Sequence, residues 1–542
     1  MGLLAALLLA CAHASVSVAA SPGQLVLTGV PGRVTIGFGP DQSAVGDGFA
    51  SADDEVTPLS SGDLLLTDFD QFGQPNELGL VALRPSGARD TGFGTSGLVR
   101  LPVPGSFSSV AAEPDGGALL LVSGQDSANG PYPLALLRID ARGALNPAFG
   151  ADGVDRLATL DEPAAMTVQA DGRIVIASTA DANTAQSRVV ITRLTATGAP
   201  DPSFDSVTLP QPGQSADSVA LAPNGDIVTL GSPGVLAALT PAGALDPSFN
   251  HGAPVLIASA AASAASGAGA LELMVLPSGR IEVLYGPVQQ TSGPESLSAY
   301  TPAGTIDPAF GHAGTEPLAV SPDISGPEDS MATPDLLPTP AGGSLVVVPT
   351  DGDAPQLIRL LSSGQPDPSF GGANGRAVNL GFGGASDFGE TAAESPNGTV
   401  YLPGVTEFAF FTGAGSGEAN NYVAHDGVAA LAPSLTPDTA FGAGSPVLRM
   451  GVRVSADGSD ALRLRLTPSQ ASVVAVRVTA GGKRIGSGGP ILLYSEKPSE
   501  HVVLLSAAAV RRLRGRTHVT VAVTATSLVG QTRTFHATAT VG

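Results

Sequence analysis

Apolar and polar positions along this chain fall into a pattern that returns about every 55 residues. A short apolar stretch meets a Gly-containing turn, and a second apolar stretch follows. Val56 leads through Ser61-Gly62-Asp63 to Leu64-Leu65-Leu66, and Val110 leads through Asp115-Gly116 to Leu119-Leu120-Leu121. The same arrangement surrounds Asp171-Gly172, Asn224-Gly225, Ser278-Gly279, Gly342-Gly343 and Asn397-Gly398. Apolar or alternating runs this short, bounded by turn residues, predict strands. Residues that tolerate positive φ at each turn predict a two-residue hairpin. Seven hairpins are expected.

A second motif alternates with the first. A strand and a Gly turn lead into Asp-Pro-Ser-Phe-Gly or a variant of it. Clear copies are Asp201-Pro202-Ser203-Phe204, Asp246-Pro247-Ser248-Phe249, Asp307-Pro308-Ala309-Phe310 and Asp367-Pro368-Ser369-Phe370. Looser copies end in Phe93, Phe149 and Phe441. Asp or Asn at the head can bond the backbone two residues on, Pro presets φ, and Gly closes the turn. Phe is the one large apolar residue fixed in every copy, so it is read as an anchor packed between neighbouring repeats. In four copies the preceding strand ends in Arg84, Arg138, Arg193 or Arg359, read as surface or inter-repeat contacts.

The spacing between anchors allows about four strands of five or six residues per unit. Longer gaps hold insertions at 286–295, 316–335 and 408–427, and the Ala/Ser/Gly run 258–270 is expected to be an irregular connection. At these residues the chain resembles the delta-60 repeats of exported bacterial proteins, a family without an assigned biochemical activity. The resemblance covers roughly residues 56–445. It implies β-propeller blades and brings no catalytic residues with it. Seven four-stranded units must hide their edges, and a closed ring does so, with an open solenoid as the alternative. Closure needs a shared blade, and residues 34–39, which look like a stray copy of the Phe-Gly segment, could supply its strand.

Beyond residue 445 the pattern changes to strict alternation. Leu462, Leu464 and Leu466 point opposite to Arg463 and Arg465, while Val519, Val521 and Val523 alternate with polar neighbours, as do Phe535, Ala537 and Ala539. Some six or seven strands are expected in 446–542, which suits an immunoglobulin-like β-sandwich of the fibronectin kind without its Cys and Trp hallmarks. The fold class is therefore all-β, a seven-bladed β-propeller over 21–445 followed by a sandwich over 446–542.

Charge separates the same two regions. The chain carries a formal net charge of −22. Residues 446–542 hold 13 of its 26 basic residues against only Asp457, Asp460, Glu496 and Glu500, a balance of about +9, which leaves about −31 on the front part. The front part would repel nucleic acid and anionic membrane, and the tail could touch an anionic polymer. With aromatics at 4% and no Trp, stacking platforms for sugars or single strands have little to use.

The first 20 residues read as an export signal, with an apolar run from Leu3 to Ala10 and small residues offering cleavage after Ala14 or Ala20. Cys11, the sole cysteine, sits in Leu8-Leu9-Ala10-Cys11, which resembles a lipoprotein box, so lipid anchoring stands beside soluble export. No later segment has the roughly 20 uninterrupted apolar residues of a spanning helix.

Motifs for chemistry are weak. No His-Glu-x-x-His or Gly-x-Ser-x-Gly occurs. His251 and His312 share a place after consecutive anchors and are read as loop residues rather than metal ligands. Gly481-Gly482-Lys483-Arg484 lacks the spacing of a phosphate loop and falls in a hairpin. Asp68-Phe69-Asp70 and Asp351-Gly352-Asp353 bring carboxylates close, yet neither has the distal bidentate Glu of a calcium loop. Catalytic, cofactor-binding and metal-binding residues are therefore assigned to none, and no cofactor is expected. The expected function is a non-enzymatic extracytoplasmic binding or scaffold protein. It would be monomeric, secreted or held at the envelope, and its partner a protein or polysaccharide. The alternative is a propeller hydrolase or lyase whose site gathers at the central channel.

Overall fold

The computed structural model describes residues 25–30, 33–38, 56–68, 77–104, 106–123, 134–157, 163–182, 184–257, 268–287, 296–318, 335–348, 356–370, 376–377, 386–389, 392–395, 397–410, 421–434, 436–442, 448–456, 461–469, 472–493, 498–506, 517–527 and 532–541. The fold is all-β. A single 3-10 turn at Asn250–Gly252 is the one helical element among the described residues.

Six antiparallel sheets of four strands follow one another along the chain. The first comprises Val56–Pro58, Leu64–Asp68, Glu77–Leu83 and Leu98–Pro104, and the second Ser106–Ala112, Ala118–Ser123, Leu134–Ile139 and Val154–Arg156. The third comprises Pro163–Val168, Ile174–Ala180, Arg188–Leu194 and Val207–Thr208. The fourth comprises Ser215–Leu221, Ile227–Ser232, Val235–Leu239 and Val255–Leu256, and the fifth Ala268–Val275, Ile281–Pro287, Ser296–Tyr300 and Thr315–Pro317. The sixth holds Asp335–Pro338, Ser344–Val348, Gln356–Leu360 and Arg376–Ala377. A further sheet joins the two ends of the array. Its strands are ordered Leu25–Val30, Arg33–Phe38, Asn421–Leu431, Val400–Phe410 and Ser386–Gly389, and Ala393–Glu394 also pairs with Val400–Phe410.

Each sheet's first strand lies beside the first strand of the next, and Ala393–Glu394 lies beside both the sixth sheet and Val56–Pro58. This is the arrangement of a β-propeller. Residues 34–38 of the segment 34–39 thus fall where a joining strand was expected, within the strand Arg33–Phe38, while residue 39 lies outside the described residues.

The hairpin turns are one residue longer than the two-residue type expected. In each, a residue donates to the carbonyl four positions on and accepts from the Gly three positions on. Leu59 with Asp63 and Gly62 is the first case, and Ser395 with Thr399 and Gly398 the last. This is a three-residue loop whose Gly sits in the left-handed region, with φ of 88° at Gly62 and 82° at Gly398. Two-residue and three-residue loops both want such a Gly, so composition alone did not separate them.

Burial is divided among the sheets. Apolar clusters lie between consecutive sheets, and each contains one Phe of the second motif: Phe93, Phe149, Phe204, Phe249, Phe310 or Phe370. Phe441 belongs to the cluster that joins Val400–Phe410 and Asn421–Leu431 to Leu64, Leu66 and Val81 of the first sheet. All seven anchors are buried.

The remaining seven strands form two sheets, one of Met450–Ala456, Ala461–Pro468 and Ser499–Leu504, the other of Lys483–Leu493, Ser472–Ala480, Thr517–Ser527 and Thr532–Val541. One cluster of Leu462, Leu464, Leu466, Val476, Val503, Val519, Val521 and their neighbours fills the space between them.

Candidate functional site

Two polar constellations stand out, one at the joints between sheets and one on the innermost strands. The joints begin with the Asp or Asn that heads each anchor motif. Its side-chain oxygen accepts from the backbone N–H two residues on in every copy, at 3.1 Å for Asp90 to Gly92, 2.9 Å for Asp201 to Ser203 and 2.8 Å for Asp367 to Ser369. That bond bends the chain so that Phe enters the gap toward the next sheet. There it meets the Gly of the neighbouring turn. A Cβ on Gly243 would stand 2.7 Å from the Phe204 ring, and one on Gly304 2.8 Å from the Phe249 ring.

Arginine closes several joints. Arg193 is buried, donates from Nε to Asp201 at 2.8 Å, lies 4.5 Å above the Phe204 ring and reaches the Pro241 carbonyl of the fourth sheet's turn. Arg138 bonds Glu113 at 2.7 Å and the Ala196 carbonyl of the third sheet at 2.9 Å. Arg359 lies 4.8 Å above Phe370 and pairs with Asp367 at 2.8 Å. Hydrogen bonds from Ser203, backbone and hydroxyl, together with Arg193, hold Asp201 well below the usual carboxylate range, at about 2. Arg84 is the surface member of the expected set. It sits just past its strand, largely exposed, and pairs only locally with Asp90 at 3.1 Å. In the fifth sheet the role falls to Arg280, which lies 5.2 Å from Phe310 and bonds the Ser362 carbonyl of the sixth. Sequence reading missed Arg280 because it comes from the strand beside the expected one. Its signal was an Arg directly after the Gly279 turn, with Ala299 at the usual place.

The innermost strands differ from sheet to sheet. The residue facing Leu121, Ala177, Leu230, Leu284 or Val347 across the first hairpin is Ser109, Ala165, Ser218, Glu272 or Asp335 respectively. Asp217 occupies the bulge just before Ser218. Ser218 donates to Glu272 at 3.4 Å, from the fourth sheet to the fifth, and the backbone N–H of Ala392 donates to Asp335 at 2.6 Å. Burial, with Asp335 and Asp217 as like-charged neighbours, pushes Glu272 up to about 8. Burial likewise pushes Asp217 up to about 7, against hydrogen bonds from Ser232, and raises Asp335. Glu272 therefore keeps its proton at neutrality, where it can donate as well as accept, while Asp217 divides between its two forms there. Tyr285 adds a hydroxyl nearby, bonded to the Pro233 carbonyl at 2.6 Å. No motif announced this cluster, because its members lie in separate repeats and inside apolar strands.

The other sequence candidates are scattered. His251 and His312 are exposed in loops, and His312 pairs with Glu316 at 2.8 Å. Gly481 and Gly482 form the tight turn of the hairpin that pairs Ala480 with Lys483. Phe69-Asp70, Asp351-Gly352-Asp353, the segment 1–20 with Cys11, and most of the insertions lie outside the described residues. Among the described residues no helix is long and apolar enough to cross a membrane, a statement that leaves strands aside. No group of three or more His, Cys, Asp or Glu placed to hold a metal ion occurs among them either.

Residues 169–204 match a family model described as a domain of unknown function (DUF5122) beta-propeller. That stretch spans the second and third strands of the third sheet, from Gln169 at the hairpin turn to the Phe204 anchor. No curated protein matches the chain. Among solved structures it is similar to the WD40 beta propeller domain of Doa1 at 12% identity, covering 75% of this chain and 97% of that one, with a TM-score of 0.33. It is similar to Sqt1 from Chaetomium thermophilum at 11% identity, covering 88% and 100%, with a TM-score of 0.35. A third is PorZ, a bacterial surface component of the type-IX secretion system of Porphyromonas gingivalis, at 11% identity, covering 96% and 75%, with a TM-score of 0.26.

Proposed function

We propose that this chain is a non-enzymatic, extracytoplasmic binding protein: a closed seven-bladed propeller with an immunoglobulin-like domain behind it. The bond from Gly442 N–H to the Ser86 carbonyl, at 2.8 Å, supports closure, since it repeats between last and first units the link that Gly94 makes to Arg142 at 2.7 Å. The sandwich reading rests on strand order, first-second-fifth in one sheet and fourth-third-sixth-seventh in the other.

One observation carries the functional reading. The frame is uniform and its lining is not. Every joint reuses the same turn and Phe, whereas the innermost strands change from Ser109 and Ala165 on one side to Asp217, Glu272 and Asp335 on the other. A rigid ring with a one-sided polar lining is built to recognise something. Carboxyls that keep their protons suit the paired donors and acceptors of sugar hydroxyls, so a polysaccharide is the partner class favoured here.

The same carboxyls support a second reading. A carboxylic acid protonated near neutrality beside another carboxyl is what general-acid cleavage of a glycosidic bond requires. The purified full chain, incubated with a panel of cell-wall and storage polysaccharides, separates the two. Retention on one polymer without release of reducing ends is expected. Time-dependent release that Glu272→Gln abolishes would replace binding with hydrolysis, and retention on no polymer would remove the polysaccharide.

A further inference from the structure

We infer that the outer face of the three-stranded tail sheet docks onto an anionic phospholipid surface. Along these strands Val452, Val454, Leu462, Leu464, Leu466 and Val503 turn into the sandwich core. Alternation sends Arg453, Arg463, Arg465, Glu500, Val502 and Leu504 to the other side, where all are exposed. The register sets them in rows: Arg453 opposite Arg465 opposite Glu500, and Ser455 opposite Arg463 opposite Val502.

Two features of this face are costly for a surface that meets only water. Arg453 and Arg465 are direct cross-strand neighbours, and like charges in that position destabilise a sheet. Glu500, the one acid among these outward residues, pairs with Arg463 at 3.5 Å, which leaves the face with an excess of guanidinium groups. Beside them Val502 and Leu504 stand 51% and 69% exposed at i, i+2 spacing on one strand. Among the described residues only three large apolar side chains are more than half exposed, and two of them share this strand.

The combination selects the partner. Guanidinium groups alone would suit any polyanion. Aliphatic side chains standing among them gain only where apolar material lies just beneath the anionic layer, as acyl chains lie beneath phosphate headgroups. The charge of the whole chain gives the contact a direction. A tail of about +9 is drawn to such a surface while a front part of about −31 is pushed away from it. Docking would hold the repeats off the bilayer with their lining free, whatever that lining binds.

Flotation of the full chain with vesicles tests this directly. Binding to phosphatidylglycerol-containing vesicles at low salt is expected, with little on pure phosphatidylcholine and a steep loss at high salt. Arg453→Gln combined with Arg465→Gln should weaken anionic-vesicle binding about tenfold or more. Leu504→Ser should weaken it severalfold while leaving its salt dependence unchanged. Both variants keep residues 1–20, so any affinity contributed there cancels, and neither touches the core, so near-UV dichroism should match the parent. Equal binding to neutral and anionic vesicles overturns the inference, as does indifference to either variant. Capture by a soluble polyuronate that is unaffected by Leu504→Ser would assign the face to an anionic polymer instead.

Discussion

The repeat region and the tail solve the same problem of burial in opposite ways. The tail has one core, filled by alternating Leu and Val from two facing sheets. The repeats have a separate small core at every joint, each completed by a Phe that arrives from a turn rather than from a strand. The second strand of each repeat sheet is buried on both faces, as in Leu119-Leu120-Leu121-Val122, so alternation disappears there. The difference teaches where stability is concentrated. In the tail it is spread over many equivalent aliphatics, whereas in the repeats it is pinned at recurring turns.

The anchors give the sharpest way to break that comparison. Phe204→Ala and Phe370→Ala should each cost about 3–5 kcal/mol, from lost transfer energy and the cavity left between sheets. With no Trp in the chain, near-UV dichroism comes from Tyr and Phe, and Tyr285, Tyr300 and Tyr401 sit in the repeat sheets. Melting followed by that signal should fall clearly in both variants. Near-parental melting would mean that the joints do not carry the repeat array.

A smaller effect is expected from the other side of the same joint. Gly243→Ala places a methyl against the Phe204 ring at a φ of 91°, which should cost about 2 kcal/mol from overpacking and backbone strain. Gly481→Ala in the tail turn meets no atom within 4 Å, so it carries only the backbone term at φ of 54° and should cost less. Equal losses would show that strain alone, and not packing on Phe, sets the need for Gly.

The smallest expected effect concerns the innermost carboxyls. Glu272 and Asp217 hold protons in the fold that they lose when unfolded, so stability should fall as pH rises from about 4 toward 8 and then level off. Asp201 has the opposite sign and withdraws its contribution only as pH falls from about 4 toward 2. Glu272→Gln should therefore stabilise the repeats at pH 8 and above, by about 1–2 kcal/mol once its partial contact with water is discounted, and change little at pH 5. Melting curves at the two pH values read this out. Destabilisation by Glu272→Gln at pH 8 would show that the carboxylate is wanted ionised.

Sequence carried the frame well and the lining poorly. Turn chemistry is local, so Asp201-Pro202-Ser203-Phe204 announced its own bend, and the Phe announced its burial. The alternating tail announced its two faces in the same way. The loop length was hidden because Gly62 satisfies either turn. Arg280 was hidden because joints can be closed from more than one strand. Asp217, Glu272 and Asp335 were hidden for a deeper reason: they lie in different repeats, and only the curvature of the array brings them together. Polar residues inside apolar strands, as in Leu271-Glu272-Leu273, were the available clue.

The strand Arg33–Phe38 pairs with Ala429 and its neighbours, nearly four hundred residues later in the chain. During synthesis it emerges among the first ordered segments, and its partner among the last of the array. Until then Asn421–Leu431 has no outer neighbour, and the early strand pairs only with Leu25–Val30 on its other side. Bringing such distant segments together costs loop-closure entropy and is slow. The seam therefore cannot lock until almost the whole array has been made, so its closure is the step in the repeat region that waits on the most distant contact along the chain.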